Sequence, residues 1–272
     1  MVRTASTGLV AGLFACLATV AAAQDCAAGK TLEDGRLTVA TGNPAYFPWV
    51  IDDSPEAGQG FEAAVAYAVA EEMGFAADAV VWTRASFDES IQPGAKNFDV
   101  NLQQFSITPE RDRIVDFSEP YYRAAMAVLT RQGLADTPAT VDGLRGLKWG
   151  GVATTTAMPV LMGVIDPEED PLLYDDNADV VEAMKANQID AALFDLPTAL
   201  YLSAVTLDDG LVLGQFPADR TEAPDAFGML MEEGNPLKEC VDAAIGTLQA
   251  SGRLAEIEDE WLSQATDVPV IE

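Results

Sequence analysis

The 272-residue chain has no histidine, three cysteines, and 15 basic residues against 44 acidic ones. Without histidine there is no histidine-based catalytic triad and no histidine metal ligand. So few cysteines, far apart, build no zinc cluster, and no metal or other cofactor is expected. With a formal net charge of −29 the chain would repel nucleic acid and anionic lipid head groups. Long apolar runs are scarce as well. A membrane span needs ~20 apolar residues with suitable flanks, and the longest run, over residues 9–20, is shorter. What is present is a hydrophobic content of 49%, enough for a packed core rather than a disordered acidic tail. The acidity is explained most simply as a solvated surface, with steering of cationic ligands a smaller effect. Among so many carboxylates chance pairs are expected, so they argue little for acid–base catalysis.

Residues 1–23 combine Arg3, the apolar run and Ala21, Ala22 and Ala23, the layout of a secretory signal cleaved before Gln24. Removing 23 of 272 residues leaves 249, room for two modest lobes or one large domain. A lipoprotein alternative would modify Cys16, although Phe14 is bulky where a small residue is usual. Export leaves Cys26 and Cys240, and an even pair in an oxidising compartment suggests a disulfide; two free thiols are the alternative. Closing so long a loop contributes ~4 kcal/mol in the chain-entropy view.

Short apolar strands alternate with amphipathic helices, an α/β pattern. Strands are expected at 36–40 and 80–83 around a helix over 61–73, whose Phe61, Val65, Val69 and Met73 share a face and which Gly74 ends. Further strands are expected at 98–105 and 125–130, then a polar, turn-rich 131–140 that reads as a lobe boundary. Beyond it come strands at 147–152, 171–174, 189–194, 211–216 and 227–231. Helices are expected after Thr154, over 178–186, after residue 195, and at 236–250 and 254–263. The segment 217–224, rich in charge and proline, reads as a return crossing. Two nucleotide-like matches, at Gly29-Lys30-Thr31 and Gly58-Gln59-Gly60, lack the preceding strand that a phosphate loop or dinucleotide fingerprint requires.

The stretch SITPERDRIVDFSEPYY, residues 106–122, is the most informative. Thr108 before Pro109 reads as a helix start, which places Arg111 in the first turn, at the wrong end of the helix dipole. A nearby anion would favour a cation there. Free N–H groups, the Ser106 and Thr108 hydroxyls and the Arg111 fork could together hold a carboxylate. Pairing of Arg111 with Glu110, Asp112 or Asp116 on a solvated turn is the plain alternative.

This motif, with GNPAYFPW, GFEAAVAYAVAEEMGF, IDAALFD and GRLAEIEDEWL in order, resembles the signature of the family 3 periplasmic solute-binding proteins, the amino-acid receptors of ABC importers. The resemblance runs from about Arg36 to about Gln264. It implies a two-lobed α/β fold of the periplasmic-binding-protein type II, with a discontinuous first lobe and the ligand in the cleft between lobes. The lobes would comprise 24–128, 129–217 and, returning to the first, 218–272. Arg111 matches the arginine that clamps the ligand's α-carboxylate, and Asp195 the aspartate that holds its ammonium. Asp195 can equally cap the helix after it. Thr154-Thr155-Thr156 stands where the family usually has Gly-Thr-Thr. Thr155 and Thr156 suit a carboxylate or simply a helix start, and Thr154 puts a Cβ where the family usually has none. Asn43, Tyr46, Phe87 and Gln103 match pocket positions; the two aromatics could also be ordinary core residues. Asn43 is neutral where receptors for basic amino acids often carry an acid, which points to a polar or uncharged ligand.

The function so implied is a monomeric periplasmic receptor that captures an amino acid and delivers it to an ABC permease. An enzyme on the same fold, of the cyclohexadienyl dehydratase kind, is the alternative. A sensory receptor domain is a third.

Overall fold

A computed structural model describes residues 26–216, 225–262 and 268–272. The expected signal, Cys16, Gln24 and the return crossing at 217–224 lie outside them. In chain order the strands are β1 (Leu37–Thr41), β2 (Val80–Arg84), β3 (Val100–Asn101), β4 (Val115–Phe117), β5 (Tyr122–Ala124), β6 (Met126–Arg131), β7 (Gly150–Val152), β8 (Leu172–Tyr174), β9 (Ala192–Asp195), β10 (Gly210–Phe216), β11 (Asp225–Phe227) and β12 (Leu230–Glu232). The main helices are α1 (Phe61–Glu72), α2 (Asn177–Lys185), α3 (Leu196–Tyr201), α4 (Lys238–Ser251) and α5 (Arg253–Leu262).

The first lobe is built on a sheet in the order β2-β1-β3-β12-β4. Strand β1 runs parallel to β2 and β3, and β12 runs antiparallel to both β3 and β4. Since β12 comes after the strands of the second lobe in sequence, this lobe is discontinuous. Side chains alternate across β1 as strand geometry requires. Leu37 and Val39 meet the helical layer of Phe61, Val65, Val241 and Ile257, while Ala40 meets Phe98, Phe105 and Phe117 on the other side. The alanine-rich sequence of α1 favours a helix. It starts after Gly60, whose φ of 100° few residues but glycine adopt and where a Cβ would stand 2.5 Å from the Trp49 carbonyl oxygen. Its expected apolar face is buried, but so are Glu62, Ala63, Ala66 and Ala70, so α1 is enclosed on more than one side.

The second lobe is built on the antiparallel sheet β10-β6-β9. Ala127 and Leu129 of β6 pack with Val180 and Met184 of α2, and Met126 and Val128 pack against Leu144, Trp149 and Leu161. Both faces are covered, which is why this strand reads as one apolar run without alternation. The parallel pair β7–β8 joins the lobe through a Trp149–Ala191 bridge.

Only Ala125 separates β5, which pairs with β11, from β6. The chain thus passes from β5 to β6 a few residues before the expected 128/129 lobe boundary. The last residues depart from the expectation that 218–272 rejoins the first lobe throughout. Val270 bridges to Gln215, and Ile271 enters the second-lobe core beside Leu213. Gly214 makes room, since a Cβ there would meet Ile271 at 2.3 Å.

Two other elements are shorter than expected. The strand over 98–105 reduces to β3, because Gln104 takes a left-handed φ of 51° and turns the chain out of the sheet. The helix expected from Pro109 is a single 3-10 turn, Arg111–Arg113, before β4 begins. Cys26 and Cys240 form the expected disulfide, which ties the start of the described chain to α4 across 214 residues.

Candidate functional site

A cavity of about 340 Å³ lies between the lobes. The first lobe supplies the loop after β1, including Asn43 and Tyr46, together with Phe87, Asp88, Gln103 and Gln104. That loop carries cis peptide bonds at Asn43-Pro44 and Phe47-Pro48. The second lobe supplies Val152, Thr155, Asp175, Asp176 and Asp195. Four carboxylates thus face the cavity, and no Lys or Arg is among the described residues that line it. Tyr46 feels this charge. Its hydroxyl is pushed above the ordinary tyrosine range by burial first and then by Asp176, Asp179 and Asp53. Asn43 alone gives no sign of Asp175 and Asp176, which arrive from the other lobe.

The lobes touch through a small set of polar contacts beside the cavity. Trp49 Nε1 donates to Thr198 Oγ1 at 2.8 Å, and Thr154 Oγ1 donates to Asp88 at 2.7 Å. Ser106 Oγ and Thr156 Oγ1 are 3.2 Å apart. Arg111 is buried, its guanidinium 5.3 Å from the centre of the Phe87 ring, which itself stacks on Phe105 at 4.7 Å. One end of its fork donates to the Ser106 carbonyl and the other to the Thr154 carbonyl, each at 2.8 Å. Burial lowers the Arg111 pKa, while Asp225 and Asp88 oppose that shift. A solvated ion pair on an exposed turn is therefore not the arrangement adopted. Thr108 does cap the turn, accepting the Arg111 N–H at 3.2 Å.

Asp195 ends β9 and caps α3 by accepting from the Thr198 N–H at 2.8 Å. Burial raises its carboxyl to about 6 against the Thr198 hydrogen bonds, and the charge of Asp225 adds to the rise. Behind it Glu62, buried at the start of α1, accepts from the Gln104 backbone N–H, the Gln104 side chain and the Tyr121 hydroxyl. Burial nevertheless pushes Glu62 up to about 7.

Of the nine expected ligand-binding residues, Asn43, Tyr46, Phe87, Gln103, Thr155 and Asp195 line the cavity. Arg111, Ser106 and Thr156 gather next to it. Thr155 uses its hydroxyl on the Val152 carbonyl, and Gln103 donates to the Ala85 carbonyl at 3.1 Å. Thr154 has no positive φ, so its Cβ is tolerated and its hydroxyl bridges the lobes. Sequence reasoning missed Trp49, Asp88, Gln104 and Asp225. A Trp in the GNPAYFPW stretch was the one local signal available; the other three depend on tertiary placement.

A sequence model of bacterial extracellular solute-binding proteins, family 3, matches residues 37–264. The L-cystine-binding protein TcyJ of Escherichia coli is 31% identical over 169 residues, which is 61% of this chain and 61% of that protein, so the match spans less than two thirds of this relative. The L-arginine-binding protein of Pseudomonas aeruginosa is 25% identical over 233 residues, covering 80% of this chain and 85% of that protein. Among solved structures, an ancestral arginine-binding protein bound to arginine has a TM-score of 0.70 at 26% identity, covering 84% of this chain and 99% of that one.

Proposed function

Because the chain belongs to the bacterial extracellular solute-binding proteins of family 3 and has their two-lobed α/β fold, we propose that it is a periplasmic receptor that captures an amino acid between its lobes and passes it to an ABC permease. The observation that carries this proposal is a cavity lined from both lobes and closed by polar contacts between them. Asp195 receives the ligand's ammonium, and Arg111, Ser106, Thr155 and Thr156 form the end for its carboxylate. Asn43, Tyr46, Phe87 and Gln103 surround its side chain. The chain crosses between lobes at Ala125, so that among the described residues 26–125 and 225–262 make the first lobe. The leader over 1–23 directs export.

The ligand's side chain is cationic. Asp175 and Asp176 line the cavity together with Tyr46, and the described lining offers them no basic partner. A guanidinium or ammonium entering there gains charge-assisted hydrogen bonds of ~1.5–3 kcal/mol each. An anionic side chain would instead be repelled. The arginine-binding relatives agree with this choice. The dehydratase alternative finds no support in Glu62, whose carboxyl holds a proton near neutrality but is engaged by Gln104 and Tyr121.

Calorimetric titration with the twenty standard amino acids tests this reading. Arginine or lysine should bind most tightly, and Asp195→Asn should weaken that binding at least about tenfold, the loss of ~1.4 kcal/mol. Binding of none of the twenty, or a preference for glutamate or aspartate, would overturn it.

A further inference from the structure

Beside the cavity already described lies a second one of about 230 Å³, also between the lobes. Tyr46, Gln104 and Asn177 line both, so the two are adjoining compartments of one cleft. The border is a fixed one, because Gln104 takes a left-handed φ of 51° and donates both its backbone N–H and its side-chain amide to Glu62. Past that border the chemistry changes. Buried Val181, Phe194 and Leu202 of the second lobe line the cavity together with Phe47 of the first, whose ring centre lies 4.5 Å from that of Tyr201. The charged groups of the described lining, Glu182 and Lys185, are spent on each other in a 2.8 Å pair whose side chains are partly exposed.

The second cavity leads away from the acidic end of the first. Asp176 caps α2, and Asn177, Val181 and Lys185 follow it at four-residue spacing along one face of that helix. At ~1.5 Å per residue this face runs for ~12 Å between Asn177 and Lys185. A ligand whose side-chain cation sits at Asp175 and Asp176 therefore has its far end at the entrance to the apolar compartment. The groups assigned to its carboxylate, Arg111, Ser106, Thr155 and Thr156, are not among the described residues that line this compartment. An apolar cavity of ~150 Å³ in a protein core takes up benzene, so this one has room for a ring of that size.

We propose that the second cavity is a binding subsite for an apolar, ring-sized group carried on the ligand's side-chain cation, so that the receptor takes substituted cationic amino acids in preference to the free ones. The inference rests on the cationic-ligand reading of the cleft and extends it. The substituent must leave the charge in place for Asp175 and Asp176, as alkylation of an amine does and acylation does not. The discriminating pair is L-lysine and Nε-benzyl-L-lysine. Both keep the α-carboxylate, the α-ammonium and a side-chain cation, and only the second carries a ring into the apolar compartment.

Each should be titrated calorimetrically into the wild type, Ala178→Trp and Thr206→Trp. Ala178 and Thr206 line the second cavity but not the first, belong to different elements and are partly exposed, so an indole at either place fills the compartment without entering the core. Within each protein the affinity for lysine is its own control for folding, and if one variant fails to bind lysine the other decides. The wild type should bind Nε-benzyl-L-lysine about tenfold or more tightly than lysine, and the variants should lose that advantage while holding lysine within about threefold. A wild type that binds the benzyl compound no more tightly than lysine would overturn the inference while leaving the receptor function standing. So would an advantage that persists in the variants, because the ring would then be held elsewhere. Binding of neither probe by the wild type would remove the cationic-ligand reading itself, and this inference with it.

Discussion

Arg111 joins carbonyls of two different lobes with the two ends of one planar fork. A lysine has one compact donor group and cannot span both, so Arg111→Lys should cost ligand affinity about tenfold or more in calorimetry. Equal affinities would mean that the bridge contributes nothing to the bound state. Glu62 makes a separate prediction about stability. Its three donors favour the charged form, yet burial outweighs them and holds the proton to about 7, against an ordinary value of 4.5. Between these limits the unfolded chain has released a proton that the folded chain keeps. Stability from this group is therefore full below about pH 4.5, falls as pH rises to about 7 and is level beyond, a change of ~3 kcal/mol. Asp195, raised to about 6, acts in the same direction over a lower range. Glu62→Gln, which has no such proton to lose, should show a shallower fall between pH 5 and 7.5 in urea denaturation. A variant with the same pH dependence as the wild type would place the effect elsewhere.

Elements set by local sequence were legible before the fold was known. Helix α1 has alanine-rich composition, a glycine on each side and apolar residues at helical spacing, and it forms where expected. The disulfide was legible from an even pair of cysteines behind a stretch with the layout of a secretory signal. Its worth can be measured directly. Replacing Cys26 and Cys240 by serine frees a 214-residue loop in the unfolded chain, and the urea midpoint should drop by the equivalent of ~4 kcal/mol. A loss under about 1 kcal/mol would show that the cross-link leaves the unfolded state largely unchanged. Less legible were elements decided by tertiary contact. Thr108-Pro109 signalled a helix start correctly, but the helix amounts to one 3-10 turn because the chain enters β4 almost at once. Asp225 carries no local mark at all. It reaches the site through the pairing of β11 with β5 and the bridge from Phe227 to Ser106, contacts between residues more than a hundred positions apart.

At the scale of the whole molecule, the described chain passes from one lobe to the other at Ala125, and the lobes meet through a few polar contacts around the cavity. A ligand held by Asp195 of the second lobe and by first-lobe groups completes its interactions only when the lobes are together. Moving a population from almost wholly open to almost wholly closed takes ~5 kcal/mol of differential affinity, and two charge-assisted contacts provide most of it. Solution X-ray scattering with and without the tightest-binding cationic ligand tests this most directly. The radius of gyration should fall on addition of ligand for the wild type, and Asp195→Asn should weaken both binding and compaction. Tight binding with an unchanged radius of gyration and no dependence on Asp195 would contradict capture between closing lobes.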